Sequence, residues 1–183
     1  MATFGDTTIY GVALTVLLPL ENFMGLFTTP ADCNVIQSIH MYGTAQTGQA
    51  AMEAVVYRDV AGAPGPLVGT GTPGGSPVFS GPNAWWVDAI LCPVIPSALY
   101  WFGFVNADPA NGIAMSNGGS PGRFIFYHGA DPAYPPPSNP EPGMGLIDPN
   151  QHGLYVTYFP SAGLTGRKDN NLKRLKLMHN GGL

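Results

Sequence analysis

A chain of 183 residues that is 45% hydrophobic and 11% aromatic is about one domain's worth and can bury a core. Charged residues are only 10% of it, against about 25% in an average soluble domain, while Gly (25) and Pro (19) make up about a quarter and glutamate is confined to Glu21, Glu53 and Glu141, an alphabet that excludes a helix-rich fold. The net charge of -4 is uneven: residues 1–166 hold ten acidic side chains against Arg58 and Arg123, so the body carries -8 and repels nucleic-acid phosphates.

Period-2 alternation and β-branched or aromatic enrichment predict a series of short strands. In chain order they are Thr7 to Leu18, broken in its middle, then Met24 to Thr28, Val35 to Tyr42, Ala51 to Arg58, Leu67 to Gly69, Val78 to Phe79 and Trp85 to Leu91. Leu99 to Val105, Ile113 to Met115, Phe124 to Tyr127 and Leu154 to Phe159 follow. Within Val35 to Tyr42 polar and apolar residues interleave as in a half-buried strand, with Ile36, Ser38, His40 and Tyr42 on one side. Tyr100 to Val105 is apolar on both sides, so it is either central and covered twice or has one face against a partner. Connections such as Asp59 to Pro66, Thr72 to Pro77 and Asn117 to Gly122 read as turns, in which glycine supplies positive φ and proline fixes its own. The longest, Gly129 to Gln151, holds seven prolines, which excludes helix interior and central strand and suggests a functional loop or one clamped against a neighbour.

The last seventeen residues differ from the rest. Arg167, Lys168, Lys173, Arg174 and Lys176 stand against Asp169 alone, giving +4. As a helix this segment aligns Leu172, Leu175 and Met178; as a strand it alternates Arg174, Lys176 and Met178 with Leu175 and Leu177. Either way the apolar residues need a surface, so the chain divides into a β-sandwich domain, 1–166, and a basic C-terminal assembly arm, 167–183. An acidic body with a basic arm suggests docking onto a neighbouring copy.

Enzymatic signatures are weak. Gly69 to Gly74 fits the letters of a dinucleotide-binding glycine pattern, but Pro73 lies inside it and no helix can follow, which leaves a glycine-rich turn. His40, His128, His152 and His179 share no ligand spacing with one another or with Cys33 and Cys92, so no metal and no cofactor are expected. Asp108 and Asp148 fit capped turns as well as calcium ligands, the acids are scattered singly, and no serine nucleophile motif is present. The two cysteines would make one disulfide or two buried thiols, the latter expected of a chain without an export signal. Trp85, Trp86 and Tyr134 make a candidate ligand platform suited to sugar rings, and Tyr100, Trp101 and Tyr155 are further stacking candidates. Because neighbours on a strand point opposite ways, the alternative is that one of Trp85 and Trp86 fills the core instead.

Phe4-Gly-Asp-Thr-Thr, Phe27-Thr-Thr-Pro, Val35 to Tyr42, Ala54-Val-Val-Tyr-Arg-Asp, Gly62-Ala-Pro-Gly-Pro-Leu, Trp86-Val, Ala98 to Phe104 and the closing Leu154-Tyr-Val-Thr-Tyr together resemble a diffuse family of jelly-roll β-sandwich modules. Such modules occur in phage tail-fibre and other virion proteins and in bacterial extracellular proteins. The resemblance spans about residues 4 to 159 and implies an antiparallel jelly-roll sandwich used for surface display or ligand contact, with no catalytic residues to carry over. The basic arm, the lone module and an N-terminus without a basic, cleavable apolar leader depart from it. These departures suit a non-enzymatic virion structural protein, made in the host cytoplasm, whose partners are copies of itself and other virion proteins, with no membrane or nucleic-acid partner. A carbohydrate- or receptor-binding module and an extracellular filament subunit are the alternatives.

Overall fold

In a computed structural model of the chain, residues 1–10, 13–17, 22–45, 50–71, 78–79, 84–107, 113–118, 124–127, 136, 138, 145–148 and 151–161 are described. Among them the secondary structure is β-strand without helix: β1 (Ala2–Asp6), β2 (Ala13–Leu17), β3 (Asn22–Thr28), β4 (Cys33–Ala45), β5 (Ala50–Val60), β6 (Ala63–Thr70) and β7 (Val78–Phe79). Then come β8 (Ala84–Pro93), β9 (Leu99–Asn106), β10 (Ile113–Gly118), β11 (Phe124–Tyr127), β12 (Gly145–Asp148), β13 (Gln151–His152) and β14 (Leu154–Pro160). One sheet runs β1-β14-β4-β10-β13, with β2 on β10 and β8 on β4; the other runs β12-β11-β3-β9-β5-β6, with β7 on β5. The pairings are antiparallel and the two sheets face each other, so the expected all-β sandwich is what forms.

The core lies between the sheets. Ile36, Ile39, Met41, Leu154, Val156 and Tyr158 come from the first, and Phe23, Met52, Ala54, Val56, Tyr100, Phe102 and Phe104 from the second. Phe4, half-buried on β1, meets Phe27, Phe102 and Tyr158 edge-on, an arrangement that suits the ring quadrupoles. Cys33 and Cys92 are buried as free thiols, and burial pushes each up to about 11, so neither is a nucleophile at neutral pH.

β9 resolves the choice left by its sequence. Its inward residues join the main core, while Trp101 and Val105 on the other face are buried with Met24, Val55 and Tyr57, flanked by Leu26 and Leu67. It is central and covered on both sides. The proline-rich connection reaches this second sheet, since the Leu67 amide donates to the Ser138 carbonyl at 2.8 Å. The hairpin joining β5 to β6 turns on Ala61 and Gly62, both at positive φ, as a two-residue hairpin loop demands. Asp59 braces it, accepting from the Gly62 amide at 3.2 Å and from Trp101 Nε1 at 2.8 Å.

Several expectations are corrected. Thr7 to Leu18 is not one broken strand: pairing starts earlier, on β1, and resumes on β2. β12 forms inside the stretch Gly129 to Gln151, where Gly145 to Asp148 is free of proline, and it stands at a sheet edge. Pro64 and Pro66 lie in β6, also at an edge, where a missing amide donor is tolerated. Gly69 and Thr70 end β6 as strand, and Thr72 to Gly74 lie outside the described residues, as do Tyr134 and the arm from Arg167. Strict alternation along β4 also fails. Register shifts around Gln37 bring Ile36 to the same inward face as Ile39 and Met41, while Ser38, His40 and Tyr42 point outward.

Candidate functional site

The two outer faces of the sandwich differ. That of the second sheet buries Trp101, Tyr57 and Val105 and exposes Leu99 only at its end, whereas that of the first, built from β1, β14, β4 and β8, keeps several large apolar side chains in the open. Its cross-strand rows follow from the register. At one end Phe159, Val35 and Pro93 lie side by side, Leu91 follows on β8, and Met1 precedes β1. Leu91 is 78% exposed and Phe159 44%. Next comes Thr3, Thr157, Ser38 and Ala89, then Gly5, Tyr155, His40 and Val87, and finally Tyr42 beside Trp85. None of these outward side chains carries a fixed charge. A solvated sheet face ordinarily alternates polar residues outward, so this one has the character of a contact surface.

Each end is built by identifiable constraints. At the apolar end the turn after β8, carrying the exposed Ile95, is pinned by Thr29: its Oγ1 donates to the Ile95 carbonyl at 2.7 Å and accepts from the Ala98 amide at 3.1 Å. Ser97 takes positive φ there, and Tyr100 Oη accepts from the Ile95 amide at 3.0 Å. Beneath, Tyr158 donates to Asp32 at 2.9 Å, and burial together with that carboxylate pushes its phenol up to about 12. In the middle Ser38 bonds both Thr157 and His40 Nε2, the latter at 2.9 Å, so the hydroxyls are satisfied within the sheet.

At the far end the rings gather. His40 stacks on Tyr155 with centroids 4.2 Å apart and planes at 11°. Trp85 meets Tyr155 at 4.8 Å and Tyr42 at 5.4 Å, in both cases steeply inclined. A Cβ on Gly153 would stand 3.2 Å from Trp85 Cη2 and from Tyr42 Cβ, so the absence of a side chain there makes room for the indole. Burial lowers the pKa of His40 from its ordinary value and raises that of Tyr155, so both favour their neutral forms. The folded state holds His40 neutral to lower pH than the unfolded chain does. Its contribution to stability is therefore complete above about pH 6.5 and is lost as pH falls from there through the folded value. A proton NMR titration of the His40 ring should give a midpoint below that of a solvated histidine; a midpoint at or above it would mean the ring is not enclosed as described.

The structure separates the two tryptophans expected to share a platform. Trp85 belongs to the outward ring cluster. Trp86 does not: it faces Met41 across the strand pair, packs against the core and donates Nε1–H to the Gly43 carbonyl at 2.9 Å. Tyr134 and the arm residues Arg167, Lys168, Leu172, Lys173, Arg174, Leu175, Lys176, Leu177 and Met178 lie outside the described residues. Tyr42 and His40, which local alternation does not single out, belong to the same ring cluster. Only the long-range pairing of β4 with β8 and β14 brings them to Trp85 and Tyr155.

Two buried carboxylates invite comparison with a catalytic pair. Asp88, 4% exposed, reaches across from β8 and accepts from the Ala54 amide at 2.9 Å, while Glu53, 5% exposed, bonds Thr70. Burial raises both pKa values. Asp88 ties β8 to β5 and Glu53 ties β5 to the end of β6, and neither is on the first sheet's outer face. Among the described residues no group of three His, Cys, Asp or Glu side chains comes together to hold a metal ion. In comparisons with known proteins, no protein-family model and no curated sequence matches the chain.

Proposed function

We propose that the protein is a non-enzymatic structural subunit of a virion, a capsid decoration, head-fibre or tail-associated protein, which joins other copies of itself and neighbouring virion proteins through the apolar end of the first sheet's outer face. The observation that carries this reading is the uncharged cluster of Leu91, Phe159, Pro93 and Val35, with Ile95 on the adjoining turn, where a solvated sheet would be polar. Electrostatics supports it. Bodies at -8 repel one another least across an uncharged face, and residues 167–183, at +4, bring opposite charge to each neighbour. The buried thiols and strand-capping carboxylates favour contact over catalysis. The virion setting rests on the resemblance of residues 4 to 159 to virion jelly-roll modules.

Sedimentation velocity of the full chain tests the proposal, with oligomers expected at micromolar concentration. Leu91→Glu puts a charge where burial of a leucine is worth about 1.5–3 kcal/mol. It and deletion of residues 167–183 should each raise the dissociation constant at least about tenfold, with far-UV circular dichroism unchanged. A wild-type chain that stays monomeric, or oligomers indifferent to both changes, would overturn the proposal. Long fibres formed by the purified protein alone would instead assign it to a self-assembling extracellular filament.

A further inference from the structure

We propose that the aromatic end of the same sheet face, centred on Trp85 with Tyr42 and Tyr155 beside it, is a binding site for an uncharged saccharide. The site is separate from the apolar end and does not depend on the assembly proposal. Val35 and Tyr42 are seven residues apart on β4, about 23 Å at strand rise, so a subunit seated on one end leaves the other accessible. Between them Ser38 and Thr157 are buried and bonded to each other.

The chemistry of the two ends differs in kind. Apart from Val87, the exposed aliphatic side chains of this face are at the apolar end, whereas the far end offers rings with polar tips, one indole N–H and two phenol hydroxyls, beside an imidazole whose Nε2 is bonded to Ser38 and whose Nδ1 is enclosed. A pyranose has the same duality, with C–H ring faces that settle on aromatic surfaces and hydroxyls that seek neutral hydrogen-bonding groups. Charge selects among saccharides. Among the described residues no charged side chain lies on the outward rows of this face, and the body is at -8, so a neutral glycan is favoured over a uronate or sulfated one.

The rings are also pre-positioned, which reduces the ordering cost of binding. Tyr155 is held by the parallel His40 ring at 4.2 Å, and the indole sits over Gly153, where a Cβ would crowd it at 3.2 Å. Gly5, opposite Tyr155, adds no side chain to block approach. The two tyrosines incline to the indole at 63° and 68°, so neither lies flat on it as a stacked partner would.

The test is a glycan array probed with the full chain, followed by calorimetric titration with the neutral hits and with chitohexaose, cellohexaose and maltohexaose. At least one neutral glycan should bind, and oligogalacturonate should bind more weakly than that glycan. Trp85→Ala should weaken binding at least about tenfold, Trp85→Phe less, and Leu91→Glu by less than about twofold. If Trp85→Ala fails to fold, Tyr155→Phe removes only one hydroxyl and should still weaken binding severalfold. An array blank for every neutral glycan, or binding unmoved in whichever of these ring variants folds, overturns the proposal. So does loss of oligomers on Trp85→Ala in the absence of glycan, which would give this end to a second copy of the chain.

Discussion

Gly103→Ala should bring the protein to the edge of unfolding, although the substitution adds a single methyl group. In an unconstrained strand it would be mildly stabilising, because alanine has less unfolded-state freedom to lose. Here the sign reverses. Gly103 is paired to Met24 on one side and Val55 on the other, in the middle of the second sheet. A Cβ would be driven into the Phe23 carbonyl oxygen and would stand 2.7 Å from Met24 Cα and 2.8 Å from the Phe23 carbonyl carbon. All three obstacles are backbone, so no side chain can rotate away. Relief requires β3 and β9 to separate, and β9 is buried on both faces by Phe102, Phe104, Trp101 and Val105. The cost is on the order of 3 kcal/mol or more, a large part of the roughly 5–15 kcal/mol that holds a domain folded. Urea denaturation should show a strongly lowered midpoint, with Thr28→Ala at the exposed end of β3 close to wild type. A midpoint for Gly103→Ala near that of the parent would show that the two strands part freely.

The same strand shows what the amino-acid sequence makes legible. Tyr100 to Val105 reads as apolar on both sides, and the structure covers both sides with the chain's own residues. Most strand positions follow from alternation and turn residues because those signals are local. The parity of β8 does not. Trp86, Asp88, Ile90 and Cys92 face inward, while Trp85, Val87, Ala89 and Leu91 face outward. The outward set has no polar side chain and the inward set holds an aspartate, so hydrophobicity points the wrong way. The conflict arises because the outer face is itself apolar and because Asp88 has a backbone donor waiting inside. His40 and Tyr42 were hidden for a different reason: a platform assembled from β4, β8 and β14 depends on register between segments more than a hundred residues apart, and a bulge near Gln37 shifts that register. β12 escaped notice because its four residues are framed by prolines at Pro142 and Pro149.

Asp88→Ala and Asp88→Asn should separate in both size and pH dependence. At the end of β6 the Gly71 amide donates to the Ala54 carbonyl at 2.7 Å, but the Ala54 amide finds no further residue of β6 and donates to the Asp88 carboxylate at 2.9 Å. Asp88 therefore stands in for a missing stretch of strand. Alanine leaves that donor buried and unmatched, a cost of about 1–3 kcal/mol. Asparagine keeps an acceptor oxygen and removes a buried charge. Burial raises the Asp88 pKa in the folded state, and its bonds to the Ala54 and Ala89 amides only partly oppose this. Glu53 is raised as well, by burial and by Asp88 itself. A carboxyl whose folded value lies above its unfolded one binds more protons when folded, so it destabilises progressively as pH climbs from the unfolded value, about 4, through the folded value. Asp88→Asn escapes this loss, and its stability relative to wild type should rise between pH 4 and pH 7 in paired urea titrations. A difference that stays flat across that range would mean Asp88 titrates alike in the folded and unfolded chain. The seam also bears on function. β8 carries Trp85 of the ring cluster and Leu91 of the apolar end, and its inner side is tied to β5 through Asp88. Asp88→Ala should therefore weaken self-association and saccharide binding together, whereas Leu91→Glu and Trp85→Ala each reach only one of them.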